Sequence, residues 1–469
     1  MPLWNSVSTA NEIEAPLVAG LTSDEQAYLE ALLNVWKSKL HRNGIKNRYY
    51  DGKNRIKDLG ISIPPNLRFV ETVVGWPAKA VDMLAARSRF DGFTFSGDGV
   101  NSGRLEAVLA DNNFKAMYSK LVTSELINSC SFVTVSAGYA DEPEALLVDH
   151  SAIWASAIWD NRKKRVKCGM VINAFENNKP TMLTLYTDSA IIECWDDGYR
   201  WKSERYEHLI GRPLIEPLVY RPTIDRPFGK SRISRSVMSI TDSAVREALR
   251  TEIASEFMTS PQKYLLGIDD TALKNFNKWE AYTGAVFAVS SDTDGNKPEF
   301  GQLSQGTMQP HTDYIRNLAA RFSGETSIPI SSLGVIHDNP SSAEAIYAAK
   351  EDLVIEAEHL NMTNGNSLRN IGLMMLAILN RCSIAELSDE YKSITPRFKN
   401  PAMPSIVSQS DAMVKQASVA PYLAETEVFL EELCYSEELR TRILNEKRRA
   451  EAGFTLDRLM GVENGSANV

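Results

Sequence analysis

The chain has 469 residues, 43% apolar and 24% charged; it can bury a sizeable core, which excludes a disordered polypeptide and suits about two to four domains. Lys and Arg number 51 and Asp and Glu 60, a formal charge of −9. This argues against a tight binder of nucleic-acid phosphates, while leaving room for an acidic wall past which such a polymer slides; taken alone, mild acidity does no more than keep a protein soluble.

The first clear element starts near Ser23, where Thr22 with Glu25, and Ser23 with Gln26, both fit a capping box. Leu29, Leu32, Leu33, Trp36 and Leu40 then recur at helical spacing. Asn47 to Lys53 follows, then Ile63-Pro64-Pro65, then a helical stretch from about Phe69 to Arg87 in which Pro77 predicts a break or kink. After a helix between Gly103 and Asn128 the texture turns to short strands: Phe132–Val135, Leu146–Val148, Val166–Ile172, Met182–Tyr186 and Ile191–Trp195. They suggest a mixed domain built on an antiparallel sheet. Trp195 and Trp201 flank a turn at Asp196 to Gly198 and read as cross-strand packing rather than a base-stacking platform.

Pro213, Pro217 and Pro222 mark a boundary with little helix. A long helix is predicted from Ser231 to Met258, then a small α/β insertion with strands at Leu265-Leu266 and Ala285–Val289 and a turn at Asp292–Asn296. A short helix covers His311–Phe322. A loop from Ser323 to Pro340 carries Gly324, Pro329, Gly334 and Pro340. The longest helix follows, Ser342 to about Asn380, with a bend expected at Asn364-Gly365-Asn366. Helices close the chain at Ser408–Ser418, Ala424–Leu433 and Ser436–Ala452, before a tail expected to be disordered.

No chemistry stands out. Gly229-Lys230-Ser231 is the one nucleotide-like motif, but a P-loop needs glycine where Ile224 stands, and Pro222 and Pro227 remove backbone donors. A helix start capped by Ser231 or Ser234 is the plainer reading. The histidines form no HExxH, no GxSxG or GxGxxG occurs, and the carboxylate pairs Asp196-Asp197 and Glu431-Glu432 read as solvated charge. Cys130, Cys168, Cys194, Cys382 and Cys434 form no CxxC pair and read as buried thiols in a reducing setting. Cofactors and metals are not expected. Met1 to Gly20 does not read as a signal peptide, and the strongly apolar run Ile371–Leu379 is too short to cross a bilayer. The chain is expected in the cytoplasm or in a particle assembled there, with no membrane partner.

The order of several segments resembles the phage portal family, and more particularly the branch that includes the portal of the Bacillus phage SPP-one type. The segments are Tyr49-Tyr50-Asp51-Gly52 with Ile63-Pro64-Pro65, and Val73-Val74-Gly75-Trp76-Pro77 leading to Ala85-Ala86-Arg87. Next come Pro217 to Pro222 running into Phe228-Gly229-Lys230-Ser231-Arg232-Ile233, then Ile328-Pro329 with Leu333-Gly334, then Ser408 to Lys415. The likeness covers about residues 25–450.

The resemblance implies an α+β portal fold with a β-rich wing, a helical stem, a small α/β clip, a long helix and a helical crown. Its parts would be an N-terminal wing over 1–221, a first stem helix over 222–260, a clip over 261–308 and a second stem helix over 309–322. A tunnel loop would occupy 323–341, a long wing-spanning helix 342–383, a crown 384–460 and a disordered tail 461–469. It implies a ring of about twelve copies at a capsid vertex, a DNA channel serving packaging, retention and ejection, and no enzyme activity. It also implies partners: a terminase large subunit, the major capsid or scaffolding protein, a head-completion protein, and double-stranded DNA without sequence preference. The virion is the implied location. Channel-lining candidates are Ser327, Ser331, Ser332, His337, Asp338 and Asn339; the loop lacks Lys and Arg, so contact with DNA is expected to be steric and weakly hydrogen-bonded. Basic candidates facing DNA are Lys263, Lys274, Lys278, Arg316 and Arg321, each also consistent with an ordinary surface charge. A multidomain α/β enzyme with a spatially assembled site, or another virion structural protein, stays open on the residues alone.

Overall fold

Helix α1, Ser23–Tyr50, starts where its cap chemistry dictates. Thr22 Oγ1 accepts from the Glu25 amide at 3.3 Å and Glu25 Oε2 accepts from the Thr22 amide at 2.9 Å, closing a capping box. Gln26 is occupied otherwise: its side chain holds the incoming chain at Val18 and Pro16. Leu29, Leu32, Leu33, Trp36 and Leu40 form the buried stripe, and the helix continues past Leu40 to Tyr50. The computed structural model describes residues 13–54, 72–95, 102–259, 263–266, 299–302, 306–334, 350–402, 406–433, 435, 439–450 and 452.

Helix α2, Trp76–Ala85, corrects the expected stretch over 69–87. Pro77 sits in its first turn, where its missing N–H has no intrahelical partner to lose; the proline starts the helix and kinks nothing. Strand β1 (Phe90–Thr94) and helices α3 (Ser102–Asp111) and α4 (Phe114–Asn128) follow.

The β-rich region holds two antiparallel sheets. Strands β2 (Cys130–Ala137), β3 (Ala145–Ser151) and, later in the chain, Ile215–Val219 form one, in the order β3-β2-(Ile215–Val219). Strands β4 (Ala155–Asp160), β5 (Arg165–Glu176), β6 (Lys179–Tyr186), β7 (Ala190–Asp196) and β8 (Trp201–Glu207) form a meander. The stretch read as a boundary on Pro213, Pro217 and Pro222 therefore contains a strand, β9 (Ile215–Val219). It lies at the edge of its sheet, the position that tolerates Pro217. Period-two alternation sets the faces of β5 from Cys168 onward: Cys168, Met170 and Ile172 pack with the α1 stripe, while Val171 turns to the other core with β2 and β9; Val166 joins that core too because the register with β4 shifts between Cys168 and Val166. Gly169 lets β9 approach, since a Cβ there would lie 2.6 Å from the Ile215 side chain. Trp195 pairs with Lys202 and Trp201 with Asp196, so the two tryptophans point to opposite faces and do not pack across the strands as expected.

Helix α5 (Arg235–Thr259) leads to a two-stranded antiparallel sheet of β10 (Lys263–Leu266) and β11 (Glu299–Gln302), then α6 (Gln309–Thr326) and a 3-10 turn at Ile330–Leu333. Helix α6 begins before His311 and ends after Phe322, so Gly324 is helical rather than part of a loop. Helix α7 (Glu351–Leu379) runs unbroken through Asn364-Gly365-Asn366, where a bend was expected; Asn364 is fully buried and Gly365 faces Pro396 and Phe398. The short helix α8 (Asp389–Lys392) and strand β12 (Thr395–Phe398) follow, β12 pairing antiparallel with β1.

The chain divides into Met1–Pro401 and Ala402–Val469. Residues 384–401, expected with the crown, thus belong to the first unit, because β12 completes a sheet with β1. The second unit holds α9 (Ile406–Val419), α10 (Glu427–Glu432) and a helix over 439–450, with Arg440 paired to Glu431. The expected strand Ala285–Val289, the turn Asp292–Asn296 and the tail 461–469 lie outside the described residues. Cys130, Cys168 and Cys194 are buried as expected, whereas Cys382 is half-buried.

Candidate channel site

The α5–α6 pair is pinned at two levels. At its base, Arg232 Nη2 donates to the carbonyl of Thr326, the last residue of α6, at 2.6 Å. Higher up, His311 Nδ1 lies 2.6 Å from Glu247 Oε1. The start of α6 thus meets the middle of α5, and its end meets the residues before α5. The two helices run antiparallel, with Leu318, Ala319 and Phe322 as the buried face of α6.

Arg232 is the centre of the base. Its Nε donates to Ala80 O at 2.6 Å and its Nη1 to Tyr220 Oη at 3.0 Å, and Nη1 lies 2.5 Å from Glu356 Oε1. Tyr220 Oη also donates to Glu356, and Arg221 reaches the same carboxylate oxygen at 2.8 Å. One guanidinium therefore ties α2, β9, the end of α6 and α7 to the foot of α5. Its charge also suits the carbonyl end of a helix. Burial pushes the Tyr220 hydroxyl up to about 12, with Arg232 opposing and Glu356 adding to the shift.

Several of the described segments that carry the resemblance meet here, all within the first unit. Tyr49 Oη donates to Asp242 of α5 at 2.7 Å, and Tyr50 Oη to Asp82 of α2 at 2.9 Å. Trp76 packs on Phe322 of α6, ring centroids 5.4 Å apart. Gly229 is left-handed at φ +68°, and a Cβ there would lie 2.1 Å from the Tyr220 carbonyl, so the Gly-Lys-Ser stretch is a close backbone crossing. Ser231 Oγ donates to Ile127 O at 2.6 Å, and Ser234 Oγ accepts from the Val237 amide at 3.2 Å, as an N-cap does.

Of the expected channel residues, Ser327 is the left-handed C-cap of α6 at φ +54°, and Ser331 and Ser332 lie in the 3-10 turn. Ser331 is exposed and Ser332 half-buried. Ile328 and Leu333 are buried, so the first part of the expected tunnel loop is packed down. Arg316 and Arg321 are both exposed on α6. Five residues separate them, about 140° around the helix, so they flank the buried face on opposite sides and do not form one row. Arg316 lies 4.0 Å from Asp313. Lys263 is in β10 opposite Gln302. His337, Asp338, Asn339, Lys274 and Lys278 lie outside the described residues. Arg316 and Arg321, the expected basic residues whose side chains are described, are thus not brought together. Arg232 and Glu356, the hub of this region, were not among the expected residues; the signal for them was the place of Arg232 in the quoted Phe228–Ile233 segment.

Among the described residues no group of His, Cys, Asp and Glu could hold a metal, and no helix is long and apolar enough to cross a membrane.

The family model described as "Phage portal protein, SPP1 Gp6-like" matches residues 29–421. The chain belongs to the phage portal protein family. The Portal protein of Mycobacterium phage L5 is 24% identical over 406 residues, covering 84% of this chain and 82% of that one. The Portal protein of Mycobacterium phage D29 is 22% identical over 382 residues, covering 78% and 77%. Among solved structures, a chain from the virion of a native gene transfer agent particle matches with a TM-score of 0.45 and 10% identity, covering 74% of this chain and 86% of that one. Portal proteins are structural components, and the expectation of a portal drawn from segment order agrees with the family match.

Proposed function

We propose that this chain forms a closed ring of about twelve copies at one capsid vertex, through which double-stranded DNA is packaged, retained and ejected. Family membership over residues 29–421 carries the reading. In it, the terminase large subunit drives DNA inward, the major capsid or scaffolding protein seats the ring, and a head-completion protein closes it. The chain acts as structure and binds no nucleotide. It assembles in the host cytoplasm and ends in the virion.

The parts follow the same reading. Residues 1–221 form the wing, α5 and α6 the stem, the β10–β11 strand pair the root of the clip, and residues after α6 the tunnel loop. Helix α7 backs that loop, and the second unit is the crown. The antiparallel α5–α6 pair and the hub at Arg232 support the stem, because a ring wall under load needs its two helices held at both levels. Ser331, Ser332 and, further along, His337, Asp338 and Asn339 face the DNA path, giving weak contact that is steric and hydrogen-bonded, with no Lys or Arg to grip the phosphates.

Negative-stain microscopy with native mass tests the ring: rings of about twelve 52.2 kDa chains support it, and monomers in the presence of scaffolding protein overturn it. Ser331→Lys tests the loop. Slowed packaging supports contact with DNA; unchanged packaging for both this variant and Asn339→Ala removes it.

A further inference from the structure

Two surface features of the first unit are opposite in charge. A cleft of about 1190 Å³ lies between α1 and residues 225–239. Lys39, Arg42, Lys46, Arg226, Lys230 and Arg235 line it, against a single carboxylate, Asp225. None of the six cations makes an ion pair among the described residues. Lys46 is only 9% exposed, so a charged amine is held there without a counter-charge, at a cost that an anion in the cleft would offset. Burial first, and then repulsion from Arg42 and Lys39, lowers its ammonium to about 8. The floor is aromatic and apolar: Trp36, Phe132, Phe228 and Met238.

The opposite chemistry stands at the other end of β2. Cys130, the first residue of β2, lines the cleft; Ala137, its last, leads into the β2–β3 hairpin. Eight extended residues place the two about 24 Å apart. The hairpin tip carries Tyr139, 70% exposed, with Asp141, Glu142 and Glu144, all exposed. The tip is rigid. Glu142 N donates to Tyr139 O at 2.7 Å, Tyr139 N donates to Glu142 Oε2 at 3.0 Å, and a Cβ on Gly138 would lie 1.9 Å from the Pro143 carbonyl. Arg104 takes Glu144 at 2.7 Å, while Asp141 makes no ion pair among the described residues.

We propose that the cleft between α1 and residues 225–239 receives the acidic Tyr139–Glu144 hairpin of a neighbouring copy of this chain. The inference rests on the ring reading and adds the surface that closes the ring. A strand-length separation prevents the two features from neutralising one another within a subunit. Head-to-tail contact, the geometry that closes rings, lets each subunit offer its hairpin to one neighbour and its cleft to the other. Tyr139 supplies an aromatic anchor for the apolar floor, and the carboxylates meet the cations of the rim. Nucleic acid is the weaker occupant, because a phosphate backbone leaves the aromatic floor unfilled and the chain as a whole is acidic.

The test uses full-length chain and exposed positions. The cleft variant is Lys39→Glu with Arg42→Glu, and the hairpin variant is Asp141→Lys with Glu144→Lys. Each alone should lower the fraction of chain in rings at least about tenfold, as like charges facing across an interface do, while circular dichroism stays that of the wild type. Co-expressed, the two variants should form rings again, because alternating subunits restore opposite charges at every contact. Rings from either variant alone at the wild-type level would overturn the proposal, as would failure of the mixture. Loss of DNA retention by the cleft variant with rings intact would overturn it in favour of a nucleic-acid occupant. Wild-type chain that forms no ring would fail the ring reading itself, a result visible before any variant is made.

Discussion

The guanidinium of Arg232 lies 2.5 Å from the carboxylate of Glu356, with only 3% and 7% of the two side chains exposed. Both charges are out of water, and Arg232 also closes the end of α6 and the backbone of α2. Arg232→Met leaves Glu356 buried with only the exposed Arg221 as a counter-charge. We expect a loss of about 3–5 kcal/mol, read as a fall in the thermal transition. Arg232→Lys should recover little of it, since one ammonium cannot reach Ala80, Thr326 and Glu356 together. Wild-type stability for the Lys variant would show that charge alone holds the hub.

Glu125 predicts a pH dependence. It is fully buried, and its Oε2 accepts from Asn364 Nδ2 at 2.9 Å while Oε1 and Asn364 Oδ1 have no hydrogen-bond partner. Burial raises its carboxyl to about 8, with Asn364 opposing, so the folded chain keeps a proton that the unfolded chain releases near the ordinary value. The contribution is fully present below the ordinary carboxylate range and is lost as pH rises through about 8. Glu125→Gln should flatten the fall in unfolding midpoint between pH 5 and 8.5. An equally steep fall in the variant would place the titration elsewhere.

The contact between His311 and Glu247 holds the upper level of the α5–α6 pair. His311→Ala should cost about 1 kcal/mol and act locally. Amide exchange should quicken in the first turns of α6 while β4 to β8 keep their protection. Unchanged exchange there would mean that the apolar face of α6 suffices.

Gly229→Ala asks a left-handed residue to place a Cβ against the Tyr220 carbonyl. Strain and clash together should cost at least about 2 kcal/mol, seen as a lower unfolding midpoint and a lower soluble yield. Ser231→Ala, beside it, removes a hydroxyl that donates to Ile127 O and accepts from the Ile233 amide and should cost about 1 kcal/mol. Equal effects would put the importance of this stretch in its hydrogen bonds rather than its backbone path.

Much of the architecture was legible in local pattern. The stripe from Leu29 to Leu40 placed α1, and short β-rich segments set off by turn residues placed β2, β3, β5, β6 and β7. Strands β4, β8 and β12 escaped notice because they are short or half exposed. Strand β9 was hidden by Pro217, which an edge position tolerates. Pro77 and Gly324 misled in opposite ways: the first starts a helix and the second is carried inside one. The site was less legible. Arg316 and Arg321 look alike in sequence, yet they fall on opposite flanks of α6.

Composition and segment order were enough for the class of chain, its mixed helix and sheet, and its membership among portals, since periodicity and motif order are properties of neighbouring residues. Tertiary structure decided the rest. Arg232 meets Glu356, Trp76 meets Phe322, and a basic cleft and an acidic hairpin come to opposite ends of β2. Each depends on distant segments being packed together, and the energy of a buried charge or a close backbone crossing exists only once that packing excludes water.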